Sequence, residues 1–70
     1  MKISARNTLS GTVTALTLGD VEAEVVIEIA PGLELASTIT RASAERLGLA
    51  VGQSASAVIK ASDVMVAVED

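Results

Sequence analysis

Residues 21–29 read V-E-A-E-V-V-I-E-I. Val21, Ala23, Val25, Ile27 and Ile29 alternate with Glu22, Glu24, Val26 and Glu28. Successive side chains on a strand point to opposite faces, so this pattern predicts a β-strand with one apolar face in a core and one mostly acidic face in water. A helix would scatter the same residues around its whole circumference.

The neighbouring stretches extend the pattern. On the N-terminal side, Gly11–Leu18 (GTVTALTL) is rich in β-branched residues and runs into Gly19-Asp20, a hairpin-turn dipeptide. On the C-terminal side, Pro31-Gly32 signals a second turn. Leu33–Thr40 (LELASTIT) then alternates Leu33, Leu35, Ser37 and Ile39 against Glu34, Ala36, Thr38 and Thr40. Ser54–Lys60 (SASAVIK) and Val64–Val68 (VMVAV) predict two further short strands, parted by Ala61-Ser62-Asp63.

Thr40–Leu49 (TRASAERLGL) breaks the alternation. Thr40 suits a helix N-cap, Ala42, Ala44, Glu45 and Arg46 are helix formers, Gly48 stands where a helix-closing glycine belongs, and Leu49 follows as its hydrophobic partner. This predicts one short helix over 41–47, after which Val51-Gly52 turns the chain into the fourth strand. Five strands with a helix between the third and fourth is the order of a small OB-like barrel. The expected fold class is therefore all-β, a five-stranded OB-like barrel forming a single domain over residues 1–70.

Composition narrows the chemistry. A chain of 70 residues buries only ~60% of its unfolded surface. Half the residues are apolar and none is aromatic, so the core is aliphatic. There is no cysteine, hence no disulfide or thiolate metal site, and no histidine, which removes the usual general base and the usual transition-metal ligand. Small domains without such staples often gain stability by oligomerising. Nine acids against five bases give a net charge of −4, which argues against nucleic acid, as does the lack of aromatic stacking platforms. With no signal-peptide pattern and no apolar run near the ~20 residues of a membrane span, the expected setting is cytoplasmic, without a membrane partner.

Against the acidic background, few basic or hydroxyl groups remain. Arg6 lies in the opening segment, Arg41 and Arg46 in the predicted helix, and Lys60 at the end of the fourth strand, followed by Ala61, Ser62 and Asp63. Thr40 and Ser43 fall in the helix's first turn, where backbone N–H groups lack helical partners. Hydroxyls, an Arg and a Lys without a catalytic base suit an anion site. Plain helix capping suits Thr40 and Ser43 as well, and a surface charge suits Lys60; spacing does not choose between these readings. Arg46 is expected on the helix's outer face, apart from any site.

Three stretches carry a resemblance. SARNTLSG at 4–11, TRASAERLGL at 40–49 and VIKASDVMVAV at 58–68, taken in order, resemble the molybdate-binding Mop domain, the molbindins. The resemblance implies a five-stranded OB-like fold, assembly as a homohexamer, and molybdate or tungstate bound at subunit interfaces for molybdenum storage or homeostasis, with no other cofactor. It implies that Ser4 and Arg6 of one subunit contact the oxyanion. Thr40 and Ser43 would come from a neighbour, joined by Lys60 and the backbone of Ala61 and Ser62. The metal would arrive already ligated by oxide, so a bare-cation site is not expected.

Two other classes remain. An enzyme would have to rely on Asp63, Glu45 or Ser62 without His or Cys, and none is expected. An OB-type nucleic-acid or protein-interaction module is the alternative, disfavoured by acidity and by the missing aromatics.

Overall fold

The alternation at 22–29 forms the second strand of a four-stranded antiparallel sheet. In the computed structural model, which describes residues 2–69, β1 spans Asn7–Leu18, β2 Glu22–Ala30 and β3 Leu33–Thr40. The helix α1 follows directly over Arg41–Leu47, then β4 over Ser54–Ile59 and a 3-10 turn over Ala61–Asp63. The strand order is β3-β2-β1-β4. Among the described residues no helix is long and apolar enough to cross a membrane.

β2 buries the face that its alternation names. Ala23, Val25 and Ile27 are buried, while Glu22 and Glu24 on the other face are exposed. Val13 of β1 is fully enclosed against Val25 and Ile27, and Leu16, Ile29, Ile39, Leu49, Ala55 and Ala57 pack around them. Each such aliphatic side chain contributes ~1.5–3 kcal/mol when fully buried. Val13 alone among the described residues reaches complete burial, so the core of one chain is thin.

β1 makes the sheet curl. Its first half pairs with β4, from Asn7↔Ile59 to Thr12↔Ser54, and its second half with β2, from Thr12↔Glu28 to Leu18↔Ala23. The register slips between Val13 and Ala15, a bulge that adds twist where the strand passes from one partner to the other. Gly11 lies just before this crossing. A Cβ there would stand 2.2 Å from the Glu28 carbonyl oxygen, so only glycine allows the strands to close up. The result is an all-β, OB-like half-barrel.

The turns follow the sequence with one displacement. Pro31-Gly32 links β2 to β3, with Gly32 at φ 77°, the left-handed conformation that favours glycine. The first hairpin turns at Asp20-Val21 rather than Gly19-Asp20, because the Gly19 N–H donates to the Glu22 carbonyl at 2.8 Å and brackets those two residues. Val21 is thereby lost from the strand and left exposed, and its carbonyl accepts the Arg41 N–H at 2.7 Å.

α1 begins and ends as its residues dictate. The Thr40 side chain accepts the Ser43 N–H, and Gly48 adopts φ 63°, ψ 38°. Gly48 N–H then reaches the Glu45 carbonyl at 3.0 Å and Leu49 N–H the Ala44 carbonyl at 3.2 Å, the paired bonds of a Schellman closure.

The expected fifth strand is the point of difference. Val64–Val68 enters no ladder, and Val64, Met65, Val66 and Val68 stand exposed. The apolar character of that segment marks a demand for burial, but a sequence pattern does not name the surface that meets it. The free edges β3 and β4 face each other across an apolar groove floored by Val25 and Ile27 and walled by Ile39, Leu49 and Ala55. It continues past Leu35, Ala57 and Ile59.

Candidate oxyanion site

The β1–β4 register determines where the first cations meet. Asn7 pairs with Ile59, and its Nδ2 donates to the Ile59 carbonyl at 3.3 Å. Arg6 immediately precedes Asn7 and Lys60 immediately follows Ile59, so the two antiparallel strands deliver both cations to one end of the sheet. Ser4 lies two residues before Arg6, and Ala61 and Ser62 follow Lys60; all of these are exposed. The turn after Lys60 closes with the Asp63 N–H on the Lys60 carbonyl at 2.9 Å. The amides of Ala61 and Ser62 lie ahead of that first bond, in the turn's opening, where N–H groups have no partner within the turn.

Thr40 and Ser43 lie at the opposite end. Thr40 pairs with Glu22 at the start of β2, next to the Ala23↔Leu18 pair that ends β1. The 12 residues of β1 separate the two groups, on the order of 35 Å along a strand rising ~3.3 Å per residue. One chain therefore gathers Ser4, Arg6, Lys60, Ala61 and Ser62 together and holds Thr40 and Ser43 apart from them. Lys60, expected beside Thr40 and Ser43, shares the end of Arg6 in its own chain.

The helix end is itself organised. Thr40 Oγ1 accepts the Ser43 N–H at 3.1 Å and donates to Ser43 Oγ at 2.9 Å. Capping is thus real, and it also fixes both hydroxyls side by side. The two helix arginines differ in their partners. Arg41 pairs with Glu45 at 2.9 Å and donates to the Gly19 carbonyl at 3.2 Å, tying α1 to the first hairpin. Arg46, expected to stand apart, sends Nη2 to Ser43 Oγ at 3.4 Å. The signal was available in the three-residue spacing of Thr40, Ser43 and Arg46, which puts them on one helix ridge.

Among the described residues the Arg41–Glu45 pair is the one ion pair, which leaves Arg6, Arg46 and Lys60 without carboxylate partners. The apolar groove between β3 and β4 contains no cation, so the enclosed concavity of the half-barrel is not where an anion would bind. A shallower hollow lined by Asp20, Val21, Thr40, Arg41, Ala42 and Glu45 opens beside the helix start.

Comparison with known proteins places these features in a family. Residues 3–66 match the model of the TOBE domain. The chain is 51% identical over 69 residues to a "Probable molybdenum-pterin-binding protein" of Haemophilus influenzae, covering 99% of this chain and all of that one. Among solved structures it is similar to a molybdate binding protein from Sporomusa ovata, with a TM-score of 0.90 and 39% identity over 96% of this chain and 98% of that one. It is also similar to MopII from Clostridium pasteurianum, with a TM-score of 0.89 and 48% identity over 96% of this chain and the whole of the other. The family match, the near-complete coverage and the shared fold agree: this chain belongs to the TOBE domain family and, within it, to the Mop proteins, the molbindins.

Proposed function

We propose that the protein binds molybdate, or tungstate, as an intact oxyanion between subunits, and serves to store or buffer it in the cytoplasm. The observation that carries this reading is the separation of the donors. Arg6 and Lys60 share one end of a sheet whose other end carries Thr40 and Ser43, so each chain presents two incomplete half-sites. A second copy can place its helix end against the Arg6 and Lys60 end of the first.

The chemistry fits a tetrahedral dianion. Its four oxygens accept hydrogen bonds and carry no donors, so the site needs donors alone. Arg6 and Lys60 offset the charge, Ser4, Thr40 and Ser43 supply hydroxyls, and the amides of Ala61 and Ser62 add fixed N–H groups. Charge-assisted bonds of this kind are about twice as strong as neutral ones, which is what removing a dianion from water requires. Molybdenum already ligated by oxide needs no His or Cys, and no bond is made or broken. The names of the similar proteins, a molybdate binding protein and molybdenum-pterin-binding proteins, support the choice of anion.

Calorimetric titration of one preparation with molybdate, tungstate and sulfate tests the reading. Saturable binding of the first two, with sulfate much weaker, is expected. Absence of heat with molybdate, or binding by a monomer that light scattering shows to be undissociable further, overturns it. Parallel assays for ester hydrolysis and single-stranded DNA binding are expected to show neither.

A further inference from the structure

We infer that Arg46 is a third cation of the oxyanion site, holding Ser43 in its donating orientation and giving the helix half-site a positive charge of its own. The inference rests on the reading above and adds a residue that neither the sequence motif nor spacing alone assigned to it.

The first argument counts hydrogen bonds at one atom. A serine hydroxyl has one proton and two acceptor lone pairs. Ser43 Oγ accepts from Thr40 Oγ1 at 2.9 Å and from Arg46 Nη2 at 3.4 Å. With both lone pairs engaged, the proton is directed away from Thr40 and Arg46, toward solvent, where an anion's oxygen would be. Without Arg46 the second lone pair is open, and the hydroxyl is free to turn and present an acceptor to an anion, which repels it.

The second argument is charge. Thr40 and Ser43 are neutral, Glu22 stands opposite Thr40 in the ladder, and Asp20 and Glu45 line the hollow beside it, so positive charge at this half-site has to come from an arginine. Arg41 does not supply it: it is held by Glu45 and the Gly19 carbonyl. Arg46 has no carboxylate partner among the described residues, and its guanidinium carries N–H groups beyond the one it gives Ser43. An anion bridging the two half-sites would then meet Arg6 and Lys60 from one chain and Arg46 from the other.

The test is a set of titrations with sodium molybdate on full-length protein: wild type, Arg46→Ala, Arg46→Lys, Ser43→Ala, and the Ser43→Ala/Arg46→Ala double variant. Arg46→Ala is expected to weaken binding about three- to tenfold, discounted from a buried ion pair because the side chain is exposed. Its melting temperature without ligand should match wild type. Arg46→Lys should recover part of the loss, since it restores charge but not the planar fork. In the Ser43→Ala background, Arg46→Ala should cost less than in wild type, the sign of action through the hydroxyl. The affinity loss should also shrink as salt rises. If wild type binds molybdate and Arg46→Ala binds equally well, the inference is wrong while the proposed function stands. Equal losses in both backgrounds remove the orienting role. If wild type does not bind at all, both fail together. Should Arg46→Ala fold poorly, Arg46→Gln keeps the donor to Ser43 without the charge, and unchanged affinity in that variant at low salt overturns the charge contribution.

Discussion

Asn7 lies opposite Ile59 in the ladder and donates its side-chain Nδ2 to the Ile59 carbonyl, and this one pairing brings Arg6 and Lys60 to the same end of the sheet. Among the described residues neither cation has a carboxylate partner, and under the proposed function a dianion held by both would offset their charge. Replacing either by Ala should weaken molybdate binding by about one to two decades, the equivalent of ~1.5–3 kcal/mol for a lost charge-assisted partner. Calorimetry on Arg6→Ala and Lys60→Ala decides it. Affinity within twofold of wild type in both variants means the anion sits elsewhere.

Binding should also stabilise the fold. A ligand that binds only the folded assembly adds ~2.7 kcal/mol per site at a hundredfold excess over Kd. For a domain of this size 1 kcal/mol corresponds to ~4–8 °C, so saturating molybdate should raise Tm by ~10 °C or more. Scanning calorimetry at constant protein concentration reads this directly. A shift that survives in Arg6→Ala/Lys60→Ala would point to general salt stabilisation.

Gly11 offers a check on the curl of β1. A methyl group there meets the Glu28 carbonyl oxygen at 2.2 Å and Ile27 Cγ2 at 2.9 Å. The obstacle is partly backbone, which cannot rotate away, so Gly11→Ala should cost ~3 kcal/mol or more, at the upper end of overpacking effects. Gly32→Ala meets nothing within 4 Å and suffers only from its φ of 77°, so about 1–2 kcal/mol is expected. Thermal melts of the two variants side by side should rank Gly11→Ala as the more damaging, and the reverse order would mean that β1 and β2 separate at little cost.

Much of this architecture was legible because it depends on local patterns. The period-two run at 21–29, all but Val21 of which lies in β2, Pro31-Gly32, and Thr40 with Gly48 bracketing seven helical residues each specify their own conformation from neighbours in sequence. The candidate oxyanion residues were legible only as a set. Which of them share a chain end depends on the Asn7↔Ile59 register, a pairing 52 residues apart that no local pattern encodes. Arg46 stands on the exposed face of the helix as expected, and helix periodicity gave its ridge, but not the contact of its guanidinium with Ser43 Oγ. The Val64–Val68 segment, expected as a fifth strand from its apolar residues, enters no ladder and stands exposed, because apolar character alone does not specify a pairing.

That segment leads to a prediction about assembly. Met65, Val66 and Val68 are each more than four-fifths exposed, and the groove between β3 and β4 is apolar and open. Unpaired edges and apolar surface of this extent favour association. The full chain should be oligomeric at micromolar concentration, and a chain ending at Asp63 should dissociate to smaller species. Size-exclusion chromatography with light scattering measures both masses. If truncation leaves the mass per assembly unchanged, apart from the missing residues, the tail has no part in the contact.

The two ends of the sheet also predict which variants can rescue each other. A variant carrying Arg6→Ala keeps an intact helix end, and one carrying Thr40→Ala/Ser43→Ala keeps an intact Arg6 and Lys60 end. Each homo-oligomer should bind molybdate poorly. In a randomly co-refolded mixture, about a quarter of interfaces should set one variant's wild-type helix end against the other's wild-type cation end, because each subunit contributes a different patch to the contact. About that fraction of sites should return at near wild-type affinity. Mixing Arg6→Ala with Lys60→Ala is the control. The Asn7↔Ile59 register delivers both cations from one chain, so no interface in that mixture contains both, and no rescue is expected. Calorimetry, with mass spectrometry to verify mixed oligomers, distinguishes the cases. Rescue in the second mixture would place Arg6 and Lys60 of a site on different chains. Rescue in neither, with mixing confirmed, would mean that the helix end and the cation end do not meet across an interface.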